Sequence, residues 1–253
     1  MNKTEISYLT FTWNPTHGCS PISEGCQKCW AQKMSKRLAG NNIRGYDKTN
    51  PFKPTFCEWA LNEPLERKKP SVIGTSFMGD LFHEDITDDQ IWMVFIVMHE
   101  AHWHNFVLCT KRPQRMLNII MKNKEIIPVR SFNNIWFGCT VENKQSTSRI
   151  LNMAALKQLG FNTWLSIEPL LEDISDSFYL VPEAVDCFDC FVIGGESGPG
   201  ARFCDEMWIS NILDVIPEEK FYFKQGGTNK MNVNTGVDIS RMSQIKNLPW
   251  QKK

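Results

Sequence analysis

The sequence predicts an α/β fold, a partial or near-complete parallel (βα) barrel of about six to seven units. Three observations lead there. Short apolar runs rich in β-formers recur, from the second run onward, about every 30 residues, the repeat of a βα unit rather than of a hairpin. The segments between them carry apolar residues at helical spacing. Polar or glycine-rich residues follow nearly every run, as in barrels whose strand C-termini build one active face. A doubly wound sheet is the alternative, because repeated strand-then-helix order gives parallel strands in either case. No GxGxxG phosphate turn follows the first run, which favours the barrel.

The runs are Tyr8–Trp13, Val72–Met78, Asn105–Thr110, Ile135–Thr140, Thr163–Ile167, Cys190–Ile193 and Lys220–Lys224. A first helix follows Cys29, with Trp30, Met34 and Leu38 on one face and Gly40 closing it. Thr87 to Gln90 reads as a capping box ahead of Ile91, Val94, Phe95 and Met98. Gln114 to Asn123 carries Met116, Leu117 and Ile120, and Ser146 to Leu159 carries Ile150, Met153 and Ala154 before Gly160. Asp205 caps a helix holding Trp208, Ile212 and Val215. The stretch from Asn41 to Pro70 has four prolines and the mixed-charge run LERKKP, and is expected to be a loop or lid. A single domain over residues 1–253 is expected, with a C-terminal extension at 228–253.

At 253 residues the chain can fill one large core. Lysine plus arginine equals aspartate plus glutamate at 28 each, so no global field draws it to nucleic acid or anionic lipid. Nine cysteines, an odd number, argue for reduced thiols and ligands rather than a disulfide framework. No apolar run is long enough to span a membrane, and Met1 to Thr10 lacks the layout of a signal peptide, so a cytoplasmic protein without a membrane partner is expected.

Cys19, Cys26 and Cys29, in WNPTHGCSPISEGCQKCWAQ, leave an apparent strand and enter an apparent helix. Three thiolates suit a 4Fe-4S cluster with one iron left open. A Cys3His zinc site with His17 is the competing reading, and three buried structural thiols are a third. The strand ends are polar: Met78-Gly79-Asp80 before Leu81-Phe82-His83-Glu84, Thr110-Lys111-Arg112, Thr140-Val141-Glu142-Asn143, Ser166-Ile167-Glu168, Gly194-Gly195-Glu196-Ser197-Gly198 and Lys224-Gln225. Singly, such residues are caps and turns; together they favour a pocket. Cys187 and Cys190 form a second CxxC, with Cys204 beyond, which would suit an auxiliary cluster, zinc or plain burial.

The segments WNPTHGCSPISEGCQKCWA, FMGDLFHE, LCTKRPQRM, IWFGCTVEN, WLSIEPLL, FVIGGESGPGAR and FYFKQGG resemble, in order, the motifs of an uncharacterised phage and bacterial three-cysteine protein family. That family is regarded as related to the radical S-adenosylmethionine (radical SAM) enzymes. The resemblance runs from about Thr12 to Gly227. The cysteine spacing here is CxxxxxxCxxC, against the commoner CxxxCxxC of that superfamily.

The resemblance implies a radical-SAM-like barrel in which Cys19, Cys26 and Cys29 ligate a 4Fe-4S cluster and the fourth iron chelates S-adenosylmethionine. Trp30 would lie near the adenine, and Met78, Gly79 and Asp80 would meet the methionine amino group. Lys111 or Arg112 would meet the carboxylate, Glu142 and Asn143 the ribose, and Gly194 and Gly195 the adenine. Glu168, Glu196, Lys224 and Gln225 would face the substrate. The implied chemistry is reductive cleavage to a 5′-deoxyadenosyl radical that abstracts hydrogen, driven by an external electron donor. Phage association points to a nucleotide or a nucleic-acid base as substrate, as in DNA or RNA modification. Lys111, Arg112, Arg115 and the tail from Lys230 to Lys253 would supply phosphate contacts. A small-molecule substrate and a partner protein stay open. Two readings from other classes stand beside this one: a zinc-stabilised binding protein, and a metal-dependent hydrolase using Asp80, His83, Glu84 and Glu168.

Overall fold

A computed structural model of the chain describes residues 1–123, 129–180, 183–229, 242 and 244–251. They fall into two compact units, Met1–Ile22 with Cys26–Phe137, and Ser23–Gly25 with Gly138–Lys253.

In the first unit, β1 (Asn2–Lys3) runs antiparallel to β2 (Phe11–Trp13). A small second sheet pairs β3 (Thr16–His17) with β4 (Thr55–Phe56). β2 is parallel to β5 (Val72–Thr75), with Trp13 opposite Thr75, and β5 is parallel to β6 (Asn105–Thr110). β7 (Ile135–Thr140), which begins in this unit and ends in the second, is buried along its whole length. Strands covered on both faces must be apolar throughout, which is why these segments read as unbroken β-forming runs rather than alternating ones.

α1 (Trp30–Gly40) starts directly after Cys29, but its buried residues are Ala31, Ser35 and Ala39. The expected Trp30, Met34 and Leu38 face is half-exposed, with Trp30 51% accessible. Residues 41–70 are more than a loop: they hold β4, a 3₁₀ turn and α2 (Glu63–Glu66). The stretch is tied down by Trp13 Nε1 donating to the Ala60 carbonyl at 2.7 Å and by the Cys57 amide donating to Pro15 at 2.7 Å.

α3 (Asp88–Glu100) begins with the expected capping box, in which Thr87 accepts from the Gln90 amide and the Gln90 side chain accepts from the Thr87 amide. Its buried face contains Ile91, Val94, Phe95 and Met98. Thr87→Ala leaves the Gln90 amide without its side-chain acceptor and should cost about 1 kcal/mol in urea denaturation. An unchanged midpoint would show that water replaces the cap. α4 (Pro113–Asn123) opens with proline at a position that needs no amide donor, and it buries Met116, Ile119 and Ile120.

The second unit holds α5 (Ile150–Gln158), which follows a 3₁₀ turn over Lys144–Arg149, and β8 (Asn162–Ile167). Gly160 has φ +91° between them, as expected of a helix stop. Two short helices follow, α6 (Asp176–Tyr179) and α7 (Glu183–Asp186), before β9 (Cys190–Gly194). α8 (Glu206–Leu213) is capped by Asp205, which accepts from the Met207 amide at 2.9 Å, and leads to β10 (Phe221–Gln225). Val215, expected on this helix, falls beyond its end. β9 is parallel to β8 on one side and to β10 on the other. The chain is thus mixed α/β, with an eight-strand, mostly parallel sheet made of β1, β2 and β5 to β10.

The expected basic tail lies largely outside the described residues. Within it, Lys246 sits over the Tyr222 ring at 4.6 Å and Trp250 packs on Trp164, so this part covers β-strand side chains. Among the described residues no helix is long and apolar enough to cross a membrane.

Candidate metal and cofactor site

Beyond Thr75, the chain turns at Ser76, whose φ is +59°, and Ser76 donates its amide to the Trp13 carbonyl at 2.8 Å. Gly18 and Gly79 then meet as a parallel bridge, with the Gly18 amide on the Met78 carbonyl at 3.0 Å. A Cβ on Gly79 would fall 2.4 Å from the Gly18 carbonyl oxygen. One on Gly18, at φ +80°, would fall 2.1 Å from the Lys53 carbonyl oxygen. Both glycines are therefore required by backbone approach, and together they seat Cys19 at the end of β5. Met78 and Gly79, expected to meet a ligand, are used here as that seat.

The Cys19 Sγ donates to the Ser20 carbonyl at 3.3 Å and accepts from Arg112 Nη1 at 3.4 Å. Burial pushes the Cys19 thiol up to about 11; the Asp80 charge adds to this and Arg112 opposes it. Cys26 lies in a 3₁₀ turn over Glu24–Lys28, and its carbonyl accepts the Cys29 amide at 3.2 Å. Cys29 is the N-cap residue of α1. All three are of intermediate exposure and in no disulfide. Their donor chemistry suits an iron-sulfur cluster, which needs accessible thiolates. Among the described residues, however, no three His, Cys, Asp or Glu side chains are grouped to hold a metal ion, so the ligand set is not preassembled. For the Cys3His zinc alternative, the buried His17 ring lies flat on Tyr46 with centroids 4.1 Å apart.

Asp80 is buried and accepts from the Phe82 amide at 3.0 Å, the Thr110 hydroxyl at 2.7 Å, the Lys111 amide at 3.3 Å and Arg112 Nη1 at 3.2 Å. Arg112 also donates through Nε to Glu84 at 3.0 Å and through Nη2 to the Ser20 hydroxyl at 3.1 Å and the Ser20 carbonyl at 3.3 Å. His83 receives the Asp85 amide on Nδ1, which assigns the proton to Nε2, and Nε2 lies 2.7 Å from the Ser20 hydroxyl. Burial, then the Arg112 charge, lowers the His83 pKa, so the ring is neutral at pH 7. Asp80, His83 and Glu84 are thus all engaged in one network with Arg112 and Ser20. These engagements also give Asp80 and Arg112 protein partners where methionine groups of a cofactor were expected. Arg115, expected on phosphate, donates instead to the carbonyls of Phe82, His83 and Ile86.

In the second unit, Glu142 is fully buried and pairs with Arg149 at 2.6 Å. It also accepts from the Ser23 hydroxyl, and a Cβ on Gly25 would fall 2.6 Å from its Oε1. Asn143 caps the following 3₁₀ turn through the Ser146 amide and donates to Glu24 at 3.1 Å. Glu196 is gripped by the backbone and guanidinium of Arg202, which also donates to the Glu24 carbonyl at 2.9 Å. Glu142, Asn143 and Glu196 thus act on residues 23–25, the segment lying in sequence between Cys19 and Cys26. Glu168 and Lys224 pair at 2.7 Å. The pair is compatible with Gly194, where a Cβ would stand 3.3 Å from Glu168 Oε1. A Cβ on Gly195 would fall 2.6 Å from the Gly226 carbonyl oxygen, and the Gln225 side chain donates to the Gly195 carbonyl at 3.0 Å.

The second CxxC does not converge on a common point. Cys187 donates to the Glu183 carbonyl at 3.2 Å and Cys190 to the Asn247 carbonyl at 3.5 Å. Burial pushes the Cys204 thiol up to about 12 and raises Cys190 further, so these two are buried, protonated thiols. Sequence reading missed Ser20, Arg149 and Arg202. Of these only Arg202 carried a signal, closing the GGESGPGAR run six residues after Glu196.

A family profile described as "Protein of unknown function (DUF5131)" matches residues 3–247. No curated protein matches the sequence. Among solved structures, the crystal structure of Streptococcus suis SuiB bound to S-adenosylmethionine is similar at 12% identity and a TM-score of 0.45, covering 87% of this chain and 47% of that one. The chain thus spans under half the length of that protein.

Proposed function

The chain belongs to this family of proteins of unknown function, DUF5131, and on its own residues we propose that it is a cytoplasmic radical SAM enzyme. The observation that carries the reading is the seat of Cys19: a half-buried thiol beside a guanidinium, with two more cysteines outside any disulfide, Cys26 and Cys29, leading into α1. Cys19, Cys26 and Cys29 would hold a 4Fe-4S cluster. With S-adenosylmethionine it supplies one-electron reductive cleavage, the electron coming from an external donor. Trp30, half-exposed on the first turn of α1, offers an indole face to an adenine.

We take the parallel strands as an incomplete (βα) barrel. In the second unit, Glu168 and Lys224 are the substrate-facing pair: they are partly exposed and ion-paired at 2.7 Å. Glu196, fastened to Arg202, would orient rather than react. The substrate we favour is a nucleotide or nucleic-acid base held by local contacts, because the chain's net charge is zero.

Anaerobic reconstitution with iron and sulfide, followed by dithionite and S-adenosylmethionine, tests this directly. The expected result is a reduced-cluster EPR signal perturbed by S-adenosylmethionine, with 5′-deoxyadenosine formed. A colourless chain holding stoichiometric zinc would overturn the reading and make the cysteines a structural staple.

A further inference from the structure

The side chain of Arg112 is 9% exposed. It is held from two sides, by Asp80 at 3.2 Å and by Glu84 at 3.0 Å. Asp80 is itself fixed by the Thr110 hydroxyl and the Phe82 amide. From this mounting the guanidinium donates to three atoms of the cysteine loop: Cys19 Sγ at 3.4 Å, the Ser20 carbonyl at 3.3 Å and the Ser20 hydroxyl at 3.1 Å. His83 fixes the same hydroxyl from the other side, at 2.7 Å. Five donors on a rigid fork, each with a partner, define one position for the Cys19 sulfur, which a lysine ammonium would not do.

We propose that Arg112 is a positioning residue for Cys19, which fixes the sulfur and, through the N–H it donates to that sulfur, raises the reduction potential of the bound cluster. This rests on the cluster reading above. A sulfur that accepts an N–H from a cation gives up electron density, so the reduced cluster, carrying one more negative charge, is stabilised relative to the oxidised one. The Asp80 carboxylate acts in the opposite sense, and the network balances the two.

The test is a dithionite titration of the reconstituted protein, one electron per cluster, followed by EPR. Arg112→Met should shift the oxidised-to-reduced ratio about tenfold toward oxidised, about 59 mV more negative for a one-electron couple. Arg112→Lys should shift it less, and Asp80→Asn should shift it the other way. A merely structural role would lower iron loading in both the Met and Asn variants and would not give shifts of opposite sign. Loss of loading in Arg112→Met at an unchanged melting temperature supports the positioning role, and the Lys variant then reports the potential. If Arg112→Met does not fold, Arg112→Lys decides, and a potential equal to that of the wild type overturns the proposal. Equal potentials in wild type and Arg112→Met, or shifts of one sign in the Met and Asn variants, overturn the proposal while the cluster stands. A wild-type chain that takes up no cluster overturns the functional reading itself and this inference with it.

Discussion

Cys26→Ala will take up no cluster after anaerobic reconstitution, whereas Cys187→Ala will load iron as the wild type does. Three thiolates are the minimum that leaves one iron open, so removing one leaves too few ligands to hold the cluster. Cys26 is in no disulfide and its carbonyl accepts the Cys29 amide, a backbone contact that the loss of its sulfur leaves intact. Cys187 lies outside the Cys19–Cys29 segment and donates to the Glu183 carbonyl, so its removal leaves the three ligands in place. Iron and acid-labile sulfide per chain, with the visible charge-transfer band, read the outcome. Equal iron in both variants would eliminate the three-cysteine site.

Gly18→Ala should be the most damaging single-methyl change in the cysteine loop. The residue stands at φ +80°, where an L side chain costs about 1–2 kcal/mol, and its Cβ would lie 2.1 Å from the Lys53 carbonyl oxygen. Backbone on both sides prevents easy relief, so overpacking adds about 1–3 kcal/mol. A total of about 4 kcal/mol is a large part of the stability of a domain. Gly200→Ala separates the two causes. It has a comparable φ of +71° but nothing within 4 Å of the added Cβ, so only the conformational cost of about 1 kcal/mol remains. Chemical denaturation of the two variants gives the difference, and equal losses would show that the loop moves to admit the methyl group.

The parts of this molecule that could be read from the sequence are those whose cause is local. The Thr87–Gln90 cap, the Asp205 cap and the stop at Gly160 each depend on a few neighbouring residues. The β6 and β7 runs were legible to their end residues, because burial on both faces leaves an uninterrupted apolar signature. The buried face of α1 was not. Its larger side chains suggested Trp30, Met34 and Leu38, while the helix is covered along Ala31, Ser35 and Ala39, a row of small residues that allows close approach. β1, β3 and β4 escaped for another reason: strands of two or three residues are too short to show a period.

The candidate site divides in the same way. Cys19, Cys26, Cys29, Asp80, Arg112, Glu142, Glu168 and Lys224 were identifiable as chemistry-bearing residues at turns and strand ends, since residue type and place in a βα repeat are written in the chain itself. Which of them meet was decided by the tertiary structure. Arg112 reaches Cys19 across 93 positions, and Ser23 reaches Glu142 across 119. No periodicity encodes such pairs; they exist because parallel strands bring distant ends side by side, and because a buried charge must find a partner there. Local pattern specifies the order of the longer strands and helices and the presence of three cysteines between a strand and a helix. The packing alone assigned Arg112 to a sulfur and Glu142 to Arg149, because burying those charges is favourable only in the company that the fold provides.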